Sequence, residues 1–268
     1  MHTDRESLFH HLWEDYRRVT PSAEGLHRIL GAEEGQGIVN DHIALRTFNL
    51  APVGLDALAE HFTSLGYYAG GEYRFGAKKL YARHYEHPDP LAPKVFISEL
   101  LTEQYSPDLQ AVVRNLVAQV SPASVSADNF LYSGRHWDLD YATYQTLLQE
   151  SEYAGWLAAW GFRANHFTVS INQLGQFHSV SGINQLLKDK GYRVNSSGGE
   201  IKGSPAELLE QSSTMADRIP VQFSDRTATI PSCFYEFALR YPDASGQLYP
   251  GFVAASADKI FESTNTTG

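Results

Sequence analysis

The sequence of 268 residues holds a single cysteine, Cys233. An internal disulfide framework is therefore impossible, and a cysteine zinc site is excluded. Basic runs are missing too. With 31 acidic against 21 basic residues the net charge is −10, so nucleic acid is not an expected partner. No apolar run reaches the length of a membrane span, so no membrane association is expected. The N-terminus, MHTDRESLFHHLWEDYRR, is charged and amphipathic and lacks the apolar core of a secretory signal. A cytoplasmic location is the expectation. No Gly-x-Ser-x-Gly elbow appears and Cys233 has no evident base, which argues against a hydrolase.

What is present suits a globular chain with a sizeable core: 43% of residues are hydrophobic and 12% aromatic. Apolar residues at helical spacing predict a helix over 4–19, with Pro21 beyond its end. Ser106 as cap and Pro107 at the first helical position open another over 106–120. A third is predicted over 141–160, with Gly161 as its stop.

Between these helices lie two segments of similar order. The first reads strand (41–48), helix (55–65), Gly66-Tyr67, then Gly70-Gly71-Glu72 leading into strands to about residue 101. The second reads strand (165–172), helix (182–190), Gly191-Tyr192, then Gly198-Gly199-Glu200 leading to strands ending near 241. The expected fold is α+β: one domain over 1–268, built from two βαβββ modules at about 38–101 and 163–241. The modules pair into a curved, barrel-like sheet around a cavity, with helices outside. The helical segment 106–161 links them. The turn-rich stretch 203–220 is expected to be a lid or an edge excursion. The chain after Tyr241 reads as loop, and the final TNTTG as disordered.

Strand parity singles out one face in each of three segments. In NDHIALRTF, Ile43, Leu45 and Thr47 alternate with His42, Ala44, Arg46 and Phe48. In NHFTVSIN, Phe167, Val169 and Ile171 alternate with His166, Thr168, Ser170 and Asn172. In CFYEFALR, Cys233, Tyr235, Phe237 and Leu239 alternate with Phe234, Glu236, Ala238 and Arg240. Two imidazoles and a carboxylate form the facial set typical of non-haem Fe(II), which leaves positions open for a 2-oxo acid and O2. Arg46 supplies a planar fork for a second carboxylate. At standard rise it lies about 13 Å along the strand from His42, room for a short dicarboxylate. Thr168 and Ser170 are candidates to support the ligands, and Arg240 to orient Glu236 or add to the anion clamp. Glu99 holds roughly the place in the first module that Glu236 holds in the second, and becomes a fourth ligand if a bulge reverses its parity. His84 and His87 read as an exposed strand end, His10 and His11 diverge on a helix, and Cys233 is a packing thiol.

The motifs DHIALRTF, ANHFTVSIN and FYEFALR resemble the 2-oxoadipate dioxygenase/decarboxylase family, also called hydroxyglutarate synthase, over about residues 5 to 255. That family has a fold related to the vicinal-oxygen-chelate proteins. The resemblance implies Fe(II) held by His42, His166 and Glu236, and a substrate carboxylate bound by Arg46. It implies conversion of 2-oxoadipate and O2 to 2-hydroxyglutarate and CO2, in lysine breakdown. The chain is shorter than the well-studied members, so another 2-oxo acid remains open as substrate. Two further readings of the same fold also remain open. One is a glyoxalase-like isomerase or lyase using a Lewis-acid metal and four protein ligands. The other is a non-catalytic binder of a small ligand.

Overall fold

The computed structural model describes residues 1–31 and 37–265. Helix α1 (Arg5–Val19) opens where Asp4 accepts a hydrogen bond from Ser7 N, and α2 (Ser22–Ile29) follows it. Strand β1 (Asn40–Phe48), α3 (Leu55–Thr63), β2 (Tyr68–Phe75), β3 (Leu80–Glu86) and β4 (Lys94–Leu100) complete the first half. Next come α4 (Pro107–Val117), α5 (Pro122–Val125), α6 (Tyr141–Glu150) and α7 (Glu152–Trp160). The second half holds β5 (Ala164–Ser170), α8 (Val180–Asp189), β6 (Lys202–Ser204), β7 (Leu209–Ser213), β8 (Arg218–Gln222), β9 (Thr227–Pro231) and β10 (Phe234–Arg240). Helix α9 (Ala254–Ile260) and a 3-10 turn (Phe261–Thr264) follow.

The main sheet runs β2-β3-β4-β1-β5-β10-β7-β6. Read inward from either edge, the halves have the same order, β2-β3-β4-β1 and β6-β7-β10-β5. Each is a βαβββ unit, and β1 and β5 meet antiparallel at the centre. Helix α9 packs against β2, β6 and β7, touching both edges, so the sheet is curled into a half-barrel that this helix closes. The outward faces of the central strands are core: Ile43, Leu45, Phe167, Val169, Tyr235 and Phe237 are all buried under α1 and its neighbours. Tyr16 of α1 donates to the Phe234 carbonyl at 2.5 Å, which ties that helix to β10. The inward faces carry the polar residues that parity selects.

Four expectations need correction. The helix over 141–160 is two helices. Ser151 sits in extended backbone (φ −149, ψ 110) and accepts from Ala154 N, capping α7. The turn α6–α7 is tight because Gly155 lets the helices meet; a Cβ there would stand 3.1 Å from Leu148 Cα. The stretch 203–220 is no lid. It contains β7, which pairs with β10 inside the sheet, and it starts the β8–β9 hairpin, inserted between β7 and β10, whose Phe223 packs on Tyr141 and Tyr144. The chain after Tyr241 is not all loop, since α9 lies there. Of the terminal TNTTG, Thr264 is buried, Asn265 ends the described chain, and residues 266–268 lie outside the described residues.

Candidate metal centre

His42, His166 and Glu236 project into the half-barrel from three adjacent strands, β1, β5 and β10. All three are buried, and one donor atom from each lies within 4.8 Å of the others. His166 Nε2 is 3.1 Å from Glu236 Oε2, and His42 Nε2 is 3.5 Å from Glu236 Oε1. The remaining atoms of each ligand are held from behind. His42 Nδ1 is 2.8 Å from Asp41 Oδ1, and His166 Nδ1 is 3.0 Å from Asn165 Oδ1. An acceptor opposite each Nδ1 puts the proton there and leaves each Nε2 with a lone pair aimed inward. Gln211 Nε2 donates to Glu236 Oε1 at 2.5 Å, and Thr168 Oγ1 lies 3.1 Å from His42 Nε2.

These atoms fit a divalent metal. Two lone pairs and a carboxylate converge in a buried space, and Glu236 Oε2 has no hydrogen-bond partner among the described residues. A buried arrangement of this kind calls for a cation. For His166 and Glu236 the electrostatics agree. Burial pushes His166 down, towards the neutral, ligating form. Burial would lower His42 as well, but the carboxylates of Glu236 and Asp41 hold it up. Burial would raise Glu236, yet the two imidazoles hold it down at about 2.

The supporting Asx residues come from a shared backbone feature. Asn40 pairs with Val169 and His42 with Thr168, so Asp41 is an extra residue on β1; Ala44 pairs with His166 and Leu45 with Ala164, so Asn165 is an extra residue on β5. Bulges interrupt side-chain alternation. Each Asx can thus bond the histidine that follows it, although simple parity sends it to the opposite face. The sequence signal was the Asx-His pair repeated in both modules.

Arg240 is placed differently from the expectation. It does not reach Glu236. Its Nε and NH2 grip Asp41 Oδ2 and Oδ1 at 2.7 and 2.9 Å, and its NH1 donates to the carbonyls of Tyr249 and Gly251. Burial would raise Asp41, but Arg240 and His42 hold its carboxyl far below the usual carboxylate range. Arg240 therefore acts through Asp41 on His42, and its fork is already occupied. Glu99 is also elsewhere, accepting from Leu55 N at 2.8 Å at the start of α3. Register explains this. Glu236 and Phe96 are the matching positions of the two modules, because β10 and β4 lie parallel to β5 and β1 with Glu236 opposite Thr168 and Phe96 opposite Ala44. Ser170 lines a cleft beyond Arg240 rather than the centre. His84 is not exposed: it is buried beside Phe252, bonded to Tyr73 and Glu86. His10 and His11 are exposed on α1, and burial pushes the Cys233 thiol up to about 12.

Arg46, on the same inward face of β1, is 1% exposed. Its guanidinium carbon lies 4.9 Å from the ring centres of Tyr153 and Trp156 and 5.5 Å from that of Phe261. Its NH2 donates to Thr264 Oγ1 at 3.2 Å. Its Nε and NH1 have no hydrogen-bond partner among the described residues. Phe261 also lines the cavity beside the triad, together with Phe96, Phe252 and Ile260. Sequence reasoning missed Gln211, the aromatic box around Arg46 and the whole contribution of the C-terminal segment. That cavity is about 20 Å³, room for an ordered water.

The model of the 2-oxoadipate dioxygenase/decarboxylase family matches residues 9–129 and 123–242. A rice (Oryza sativa) protein named 2-oxoadipate dioxygenase/decarboxylase, chloroplastic/amyloplastic, is 36% identical over 276 residues, covering 93% of this chain and 76% of the relative. The crystal structure of hydroxyglutarate synthase from Oryza sativa in complex with 2-oxoadipate superposes with a TM-score of 0.90 at 34% identity, covering 97% of this chain and 91% of that one. A Shewanella frigidimarina protein provisionally named a hydrolase superposes at 0.91 with 62% identity, covering 95% of this chain and all of that one. A glyoxalase-superfamily protein from Ralstonia eutropha, at 24% identity, TM-score 0.73 and coverage of 92% and 85%, shares the fold. Among the described residues no helix is long and apolar enough to cross a membrane. Both the family match and the rice relative span nearly the whole chain, and the chain belongs to the 2-oxoadipate dioxygenase/decarboxylase family.

Proposed function

We propose that this chain is an Fe(II)-dependent dioxygenase/decarboxylase acting on 2-oxoadipate or a closely related 2-oxo diacid, with His42, His166 and Glu236 as metal ligands. The reaction is 2-oxoadipate plus O2 giving 2-hydroxyglutarate plus CO2, and it needs no second organic substrate. The observation that carries the reading is one inward face of β1 bearing both a pinned imidazole and a buried guanidinium with two free donors. A ligand with a metal-chelating head and an anionic tail matches that face.

Bound at the triad, Fe(II) would supply the chelation site for the 2-oxo acid head and the redox chemistry with O2. The protein does the rest. Asp41 and Asn165 keep the imidazoles in the ligating tautomer. Gln211 fixes one oxygen of Glu236 and leaves the other for the metal. Phe96, Phe252, Ile260 and Phe261 wall out bulk water. Arg46 neutralises the far carboxylate, with Nε–H or NH1, each without a protein partner among the described residues, as the donor. The present cavity is too small for a diacid, so admission requires its walls to move apart. An isomerase with four protein ligands has less support, because Glu99 is bonded to Leu55 N instead of entering the centre.

The test is anaerobic loading with Fe(II), then O2 uptake with 2-oxoadipate and shorter 2-oxo acids, with CO2 and product followed by mass spectrometry. Uptake matched one to one by CO2 and a 2-hydroxy acid is expected. Bound iron with no uptake on any 2-oxo acid would refute the reading.

A further inference from the structure

Arg46 is not the sole unsatisfied group in its box. Glu152 Oε1 is also buried and has no hydrogen-bond partner among the described residues. It stands 3.9 Å from Arg46 NH1, too far for a hydrogen bond and close enough for strong attraction between the charges. Glu152 is the first residue of α7, and an acid there favours the helix dipole. The dipole alone does not require the carboxylate to turn inward and leave an oxygen unpaired. The residue is a quarter exposed and borders an outer cavity of about 140 Å³ that it shares with Lys78, Tyr153 and Phe261. It therefore has water to turn towards when it leaves Arg46.

We propose that Glu152 sets the selectivity of the anion pocket, as the resting counter-ion of Arg46 that an incoming substrate carboxylate displaces. The inference rests on the reading of Arg46 as the partner of the far carboxylate. The exchange conserves charge: one carboxylate leaves the guanidinium and another arrives, gaining a hydrogen bond from an N–H that Glu152 leaves unpaired. A diacid must compete with Glu152. A 2-oxo acid with an uncharged tail does not, because Glu152 stays and keeps the cation neutralised. Removing the Glu152 charge should thus strengthen binding of the diacid and weaken binding of the neutral-tailed acid.

The experiment compares the wild type with Glu152→Gln, Glu152→Asp and Arg46→Met. Binding of 2-oxoadipate and 2-oxohexanoate to Fe(II)-loaded protein is measured by calorimetry with O2 excluded, alongside KM and melting temperature. Glu152→Gln should tighten 2-oxoadipate and loosen 2-oxohexanoate, each by about three- to fivefold, the worth of a partly exposed ion pair. Glu152→Asp should stay near wild type. If Glu152→Gln changes neither affinity while Arg46→Met weakens the diacid, the counter-ion role is wrong and the Arg46 reading stands. If Arg46→Met leaves diacid binding intact, both fall. Equal weakening of both ligands with a lower melting temperature would make Glu152 a helix-terminal residue only and overturn the proposal.

Discussion

Replacing Arg46 with Met should make the protein more stable and nearly useless for a diacid. The native guanidinium is 1% exposed and leaves two N–H groups without an acceptor among the described residues. Each orphaned donor costs about 1–3 kcal/mol. Three aromatic faces within 6 Å return about 0.5–1 kcal/mol each, and the Thr264 bond and Glu152 attraction about 1 kcal/mol each. Those figures roughly balance, before the several kcal/mol for moving an ion out of water. Methionine fills the same channel between Tyr153, Trp156 and Phe261 with no charge, and Glu152 can turn to solvent. The expected gain is about 1–3 kcal/mol, read as a higher urea midpoint with the metal chelated away. The loss in transition-state and ground-state binding of a diacid is about 2–5 kcal/mol, a KM increase of roughly one and a half to three and a half decades. A variant that loses about 2–5 kcal/mol of stability, as core truncations do, while its KM stays within twofold would refute the reasoning.

Asp41→Asn keeps the shape of the acceptor but removes the charge that steadies His42 and balances Arg240. Metal affinity, measured by competition with a chromophoric chelator, should fall about 10- to 100-fold, and unchanged affinity would detach Asp41 from the centre. His27 gives a pH prediction away from the metal. Burial lowers its pKa to about 4, where it stacks on Trp13 with a ring nitrogen against the Tyr235 hydroxyl. Between about 4 and the ordinary histidine value near 6.5 the unfolded chain binds a proton that the native state refuses, so stability falls as pH drops through that window. The ceiling is about 3 kcal/mol, reduced because the ring is only part buried. His27→Phe should lose less stability than the wild type between pH 7.5 and 4.5 in urea melts, and parallel losses would contradict the assignment.

The fold and the triad were legible because they depend on local rules. Alternation along a strand needs no knowledge of partners, and it placed His42, Arg46, His166 and Glu236 on inward faces. The missed features are non-local. Ser151 breaks a helical pattern because its side chain caps the next helix. Arg240 shares a face with Glu236 in sequence, yet from the end of β10 it bonds an aspartate 199 positions away. Helix α9 is seven residues long, too short to persist alone, and exists because the curled sheet leaves a gap for it.

The paired modules explain why the candidate centre offers three protein donors rather than four. Their two-fold relation matches His42 to His166 and Asp41 to Asn165, each Asx an extra residue in its strand. The same relation matches Glu236 to Phe96 and Arg46 to Ser170. Had both modules kept a carboxylate at the first of these places, the symmetric outcome would be two imidazoles and two carboxylates around one cation. Phe96 removes the fourth donor and puts an apolar wall where it would stand. Arg46, in place of the serine, puts a buried cation on one side only. Breaking the symmetry at these two positions turns a closed, four-donor cage into a three-donor face with a direction. On the proposed function, the chelating head of a ligand would lie at the triad and its charged tail would run towards Arg46. Symmetry thus supplies the pinned histidines, and departure from symmetry supplies the three-donor face and the polarity of the pocket.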